Sequence, residues 1–167
     1  MEHLSTIMRP IRYGILTKSG EKIISGDISE DTYYTQYILM TPKQVIENKL
    51  GVCWDQVEFE RYYCLKNDIP HMTFFDRNNI WESHTFLVFR TEDNKLYWFE
   101  NSWDKQRGIH GPFTSIKDIF KTIIKLTHYD DKSPLKFYKY GKPQYGCTCR
   151  QFMKFATKHL VYKEGGE

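Results

Sequence analysis

The sequence predicts an α+β fold in which early helices precede an antiparallel sheet, and later helices cover it. Three observations predict it. Apolar residues recur at helical spacing between Thr41 and Lys66. From His71 to Asn101 the pattern changes to short runs of aromatic and β-branched residues separated by turn residues. Helical spacing then returns at residues 115–127 and 150–160. No internal repeat, linker or low-complexity stretch divides the chain, so residues 1–167 read as a single domain, long enough to bury a core without staples.

Residues 1–35 carry the weakest pattern. Ile11 to Leu16 reads as a short strand, Lys18-Ser19-Gly20-Glu21 as a turn, and Asp27 to Asp31 as an acidic loop. Tyr33 to Leu39 is aromatic and apolar enough to pack on a core. Thr41-Pro42-Lys43-Gln44 has the makings of a helix start: an N-cap threonine, a proline at the first helical position and a glutamine to complete a capping box. This helix runs to Asn48 or Lys49, with Gly51 suited to the left-handed position past its end.

A second helix is expected from Cys53 to Lys66, presenting Trp54, Val57, Arg61, Cys64 and Leu65 along one face and stopped by Asn67-Asp68-Ile69-Pro70. His71 to Arg77 reads as a strand and Asn78-Asn79 as a turn. Ser83 to Arg90 and Leu96 to Asn101 form a hairpin around Thr91–Lys95. Asp104 to Pro112 reads as a loop. Ser115 to Thr127 is an amphipathic helix capped by Thr114 or Ser115. Leu135 to Tyr140 reads as a last strand and Arg150 to Leu160 as a final helix, ahead of a frayed tail, Glu164 to Glu167.

Composition narrows the function classes. The chain is 40% hydrophobic and 27% charged, which argues against disorder. A net charge of +3, with basic residues scattered among acidic ones, gives no footprint for nucleic acid, and the weakly basic Lys136–Lys142 reads as a solvated strand. No apolar run approaches the ~20 residues that span a membrane. Met1-Glu2-His3-Leu4-Ser5 lacks the charge and apolar pattern of a signal peptide. The expectation is a cytoplasmic protein whose four cysteines are free thiols. No paired C-x-x-C is present, and Cys147-Thr148-Cys149 alone does not make a zinc site, so neither a metal nor a cofactor is expected.

Cys53 stands out among these thiols. It follows Lys49-Leu50-Gly51-Val52 at the mouth of a helix, where the macrodipole and unpaired backbone N–H groups favour a thiolate nucleophile. A cysteine nucleophile needs a base, and that base needs an orienting group. His3 lies in a terminus read as mobile, His159 on the apolar side of the final helix, His128 toward solvent, His71 at a strand start and His110 in a loop suited to line a cleft. His84 enters the hairpin, whose second strand brings Glu100-Asn101 close to it.

Gly51-Val52-Cys53-Trp54-Asp55 at a helix start, His84 on a strand and an acidic residue closing the next strand resemble the transglutaminase-like branch of the papain-fold cysteine enzymes. The resemblance covers about Thr41 to Trp103. It implies a papain-like architecture, with the cysteine helix packed on an antiparallel sheet, and a triad of Cys53, His84 and, in the place where aspartate is usual, Glu100. Papain-like proteases use asparagine in an Asn-Ser-Trp sequence, matched here by Asn101-Ser102-Trp103. Adjacent strand residues face opposite ways, so an odd hairpin loop such as Thr91–Lys95 sets Glu100 on the His84 face, whereas a two-residue turn at Asp93-Asn94 sets Asn101 there.

The glutamine that papain-like proteases place six residues before the cysteine is Glu47 here, which leaves the Cys53 N–H as one oxyanion donor and Gln44, Asn48 or Gln36 as side-chain candidates. Asp55 and Glu58 read as charge complements to the helix N-terminus. The function expected is cysteine-dependent acyl transfer, as a thiol peptidase or amide hydrolase on a protein or peptide substrate. The alternatives are a transglutaminase or deamidase, and a non-catalytic binding module with a groove of Trp54, Trp81, Trp98 and Trp103.

Overall fold

The computed structural model describes residues 1–78, 82–129 and 132–166. Asn79 of the expected turn, Trp81 of the expected groove and Glu167 of the tail lie outside them. The chain begins with α1 (Glu2–Met8), a short β1–β2 ribbon (Gly14–Leu16, Lys22–Ile24) and α2 (Glu30–Gln36). α3 (Pro42–Asn48) and α4 (Cys53–Lys66) follow, and then β3 (His71–Arg77), β4 (Ser83–Arg90) and β5 (Leu96–Glu100). The chain ends with β6 (Gly108–Phe113), α5 (Ile116–Leu126), β7 (Lys136–Tyr140), α6 (Cys149–Ala156) and β8 (Leu160–Lys163). The main sheet has the order β6-β5-β4-β3-β7-β8, and every neighbouring pair in it is antiparallel. The architecture is therefore α+β with an antiparallel sheet.

α4 is the central helix. Its Phe59 and Cys64 pack on Leu87, Phe89 and Phe99 of one sheet face. Trp54 stacks on Phe152 of α6 at 4.3 Å and meets Phe75 edge-on. On the opposite face, Ile119, Phe120 and Ile123 of α5 cover Phe74, Phe86, Trp98 and Phe137. The alternation along the middle of β4 explains this layering: Leu87 and Phe89 turn to α4, and Phe86 and Val88 to α5.

Local chemistry accounts for the helix starts. Thr41 and Gln44 form the capping box expected of them, Ser115 caps α5 through the Asp118 N–H, and Thr148 with Gln151 does the same for α6.

Several expectations need correction. The N-terminus is a helix whose Leu4 and Met8 are fully buried, not a mobile segment. The acidic loop gives way to α2 at Glu30, where Ser29 provides the cap. Lys49, not Gly51, takes the left-handed position after α3, at φ 49°. Leu65 lies on the outer face of α4 and is 60% exposed.

The loop from Asp104 holds a short 3-10 turn and then strand β6, which pairs with β5. β7 is not the last strand: α6 ends at Ala156, His159 is exposed beyond it, and β8 returns to pair with β7. Strand pairing across the sheet overrode the weak local pattern in both places.

Candidate active site

The site begins with the segment before α4. Arg12 and Leu50 form a parallel bridge in which the Arg12 N–H donates to Lys49 O and the Gly51 N–H to Arg12 O, each at 3.0 Å. Gly51 has no room for a side chain, because a Cβ there would lie 2.9 Å from that of Asp55. The Asp55 carboxylate accepts from Val52 N at 3.0 Å, Met40 N at 2.8 Å and the Tyr37 hydroxyl at 3.0 Å, tying the start of α4 to the chain before α3. Burial pushes its pKa up to about 7 against these hydrogen bonds. Asp55 is thus an N-terminal knot for the helix that carries Cys53, in keeping with its expected helix-start role.

Cys53 is the first residue of α4 and is buried. Trp54 lies against Phe75, whose partner across the sheet is Thr85, which places the start of α4 at the His84 end of β4. His84 Nε2 stands 2.7 Å from Glu100 Oε2, with the two side chains 13% and 2% exposed. Burial disfavours the charged imidazole. The Glu100 carboxylate, and after it the neighbouring Cys53 thiol, outweigh that cost and raise His84 well above its ordinary pKa. Glu100 is held below the usual carboxylate range: burial opposes ionisation, but His84 and the Trp103 and Ser102 donors prevail. Its Oε1 accepts from Ser102 N at 2.8 Å, Ser102 Oγ at 3.0 Å and Trp103 N at 2.9 Å.

Register decides which neighbour reaches His84. Leu87 pairs with Phe99 and Arg90 with Leu96, leaving the five-residue loop 91–95. One step beyond Leu87–Phe99, Glu100 falls opposite Phe86, on the face that His84 shares. Asn101 faces the other way: its Nδ2 donates to Gln56 Oε1 at 2.7 Å and to Met8 O at 3.2 Å. The structure therefore brings Cys53, His84 and Glu100 together and leaves Asn101 out.

The expected side-chain oxyanion donors are held on their own helices or exposed. Gln44 is locked in the α3 capping box, Asn48 donates to Gln44 O, and Gln36 is exposed at the end of α2. Glu47 is exposed and pairs with Lys43 at 3.6 Å. Glu58 pairs with Arg61 at 3.1 Å on the buried side of α4.

Among the other histidines, His71 Nδ1 lies 2.8 Å from Ile69 O and His110 stacks on Trp98. His128 is exposed and lines the cleft beside His84. Of the residues read as an aromatic groove, Trp54 and Trp98 are buried, and Trp103 meets the His84 ring edge-on at 5.9 Å.

Two clefts flank the dyad. One, of about 640 Å³, is lined by His84, Trp103 and Tyr129; the other, of about 270 Å³, by Cys53, Trp54 and Tyr33. Tyr13 and Ser83 border both.

Three residues at the site escaped the sequence reading. Tyr13 places its hydroxyl 4.0 Å from Cys53 Sγ. Asp76, opposite His84 in the sheet, accepts from the Tyr129 hydroxyl at 3.1 Å, and burial raises it to about 7. Glu60 is buried on α4, and burial together with the Glu100 charge raises it well above the usual carboxylate range. An acidic residue in the apolar run Phe74-Phe75-Asp76 was the available signal for the second; Tyr13 offered none.

No known family, curated protein or solved structure matches the chain. Among the described residues no helix is long and apolar enough to cross a membrane, and no group of three or more His, Cys, Asp or Glu is placed to hold a metal ion. All four cysteines are free.

Proposed function

We propose that this protein is a cysteine-dependent acyl-transfer enzyme, a thiol peptidase or amide hydrolase acting on a protein or peptide through Cys53, His84 and Glu100. Its arrangement is read as papain-like, in the transglutaminase-like branch, and its free thiols fit the cytoplasm. One observation carries the reading: a buried carboxylate holds the His84 imidazole at 2.7 Å, and the thiol that opens α4 is the next group acting on that ring.

In this mechanism the Cys53 sulfur attacks the amide carbonyl and His84 holds the thiol proton. The tetrahedral intermediate collapses as His84 passes that proton to the departing amine, leaving a thioester. Water then attacks the thioester, giving one proton to His84, and the acid departs as the proton returns to Cys53. Glu100 fixes the ring orientation and stabilises the imidazolium. An amine in place of water would make the same site a transglutaminase.

Iodoacetamide alkylation, followed peptide by peptide by mass spectrometry, tests the proposal. Cys53 is expected to react well below pH 8 and faster than Cys64, Cys147 and Cys149, whose thiols burial pushes up to about 12, 11 and 12. His84→Ala should slow the reaction at Cys53 alone. Reaction of Cys53 no faster than free cysteine would leave a binding module as the better reading.

A further inference from the structure

The proposed chemistry forms an oxyanion beside Cys53, and the helix start offers the Cys53 N–H as one donor. A second donor is needed where the substrate carbonyl lies. The side chain six residues before the cysteine is an exposed carboxylate, Glu47, paired with Lys43. Gln44 is held on α3 by its carbonyl oxygen, Asn48 donates to Gln44 O, and Gln56 bridges Gly51 O and Asn101.

Tyr13 occupies the opposite wall. The backbone beside it is fixed on both sides: Arg12 is zipped to Lys49 and Gly51 by two hydrogen bonds of 3.0 Å, and Tyr13 O accepts from Ser25 N at 3.0 Å. Gly14, the next residue, has no space for a side chain, since a Cβ would lie 2.5 Å from both Ile23 O and Leu50 Cδ1. The same close packing that sets Cys53 at the start of α4 therefore sets Tyr13 across from it. Tyr13 is 39% exposed and borders both clefts, while its hydroxyl lies 4.0 Å from Sγ.

We infer that the Tyr13 hydroxyl is the side-chain oxyanion donor, hydrogen-bonding the carbonyl oxygen of a substrate under attack by Cys53. This inference rests on the reading of Cys53 as the acylated nucleophile. The spacing suits it. The oxyanion is separated from sulfur by the carbonyl carbon, so its donor must stand outside close contact with Sγ while reaching within about 2.7–3.1 Å of the oxygen. Burial, and after it the Cys53 thiol, raises the Tyr13 hydroxyl well above its ordinary pKa, so it keeps its proton as a donor. Tyr13 borders both clefts, one of which Cys53 itself lines.

Two reagents separate a carbonyl donor from a group acting on the thiol. p-Nitrophenyl acetate acylates through a tetrahedral oxyanion, releasing p-nitrophenolate as the thioester forms, whereas iodoacetamide alkylates by direct displacement of iodide without one. Tyr13→Phe is expected to slow the Cys53-dependent p-nitrophenolate burst on the order of 10²-fold, with Cys53→Ala as the background. Alkylation of Cys53 should change by far less than acylation, and the urea melt should stay cooperative. Equal loss in both reactions, or none in acylation, overturns the role of Tyr13 while leaving the nucleophile in place. Absence of a burst from the wild-type protein overturns the enzyme reading and this inference with it.

Discussion

His84 and Glu100 meet on one face of the β4–β5 hairpin through a single 2.7 Å contact, Nε2 to Oε2, while the second Glu100 oxygen is held by three donors from Ser102 and Trp103. The carboxylate is thus held independently of the imidazole, which meets it through Nε2. Glu100→Gln keeps the shape and removes the charge. An amide can present its NH₂ to Nε2 and select the wrong tautomer, so p-nitrophenyl acetate acylation should fall on the order of 10³- to 10⁴-fold with little change in the urea midpoint. Glu100→Asp, one methylene shorter, should lose less than Glu100→Gln if charge matters more than reach.

The hairpin shows how far the sequence carried this site. Its two strands and the α4 start were legible because each has a strong local pattern with turn residues or a helix stop at its ends. The choice between Glu100 and Asn101 was reduced to loop parity, and the five-residue loop 91–95 resolved it. Tyr13 was not legible, because its place depends on a parallel bridge between segments almost forty residues apart, Arg12 and Leu50. β6 and β8 were missed for a related reason: Gly108–Phe113 contains two glycines and a proline, and Leu160–Lys163 is a partly exposed edge, so sheet pairing rather than propensity made them strands.

Stability should fall as pH rises from 5 to 8. Burial lifts Asp55, Glu58 and Asp76 to about 7, so the folded chain keeps protons that the unfolded chain releases near 4. Native protons in excess make stability decline across that interval. His84 acts in the same direction: its raised pKa contributes fully below its ordinary value of 6.5 and is lost as pH climbs through the raised one. Glu100 acts at the acid end, contributing above its ordinary 4.5 and losing that contribution as pH falls through its lowered value. Asp76→Asn keeps the Tyr129 contact and removes one titrating carboxyl. Thermal midpoints at pH 5 and pH 8 should lie closer together in this variant than in the wild-type protein, and an unchanged gap would refute the assignment to Asp76.

Gly51→Ala tests the knot beneath Cys53. The φ at Gly51 is not left-handed, so the cost is contact alone: the new methyl would sit 2.9 Å from Asp55 Cβ and 3.4 Å from Gln56 Cγ. Relief requires α4 to move away from the Arg12–Leu50 bridge or Asp55 to give up a donor. Overpacking of this kind costs about 1–3 kcal/mol, read as a lower urea midpoint with an unchanged slope. Because the displaced turn carries Cys53, alkylation by iodoacetamide should slow as well.

Asn101→Ala separates structure from chemistry at the strand end. Asn101 is buried and bonded to Gln56 Oε1 and Met8 O, joining β5, α4 and the end of α1, with no contact to the His84 ring. Its removal strips the donor from the buried Gln56 Oε1, whereas Met8 O keeps the Ile11 N–H at 2.9 Å, so the cost is about 1–3 kcal/mol for the one buried group left unpaired. Gln56 would keep its second bond, Nε2 to Gly51 O at 2.8 Å, so α4 should hold its start. The expected outcome is a lower urea midpoint with the p-nitrophenolate burst retained, the reverse of Glu100→Gln. If Asn101→Ala abolished the burst while Glu100→Gln spared it, the third member of the triad would be Asn101 after all.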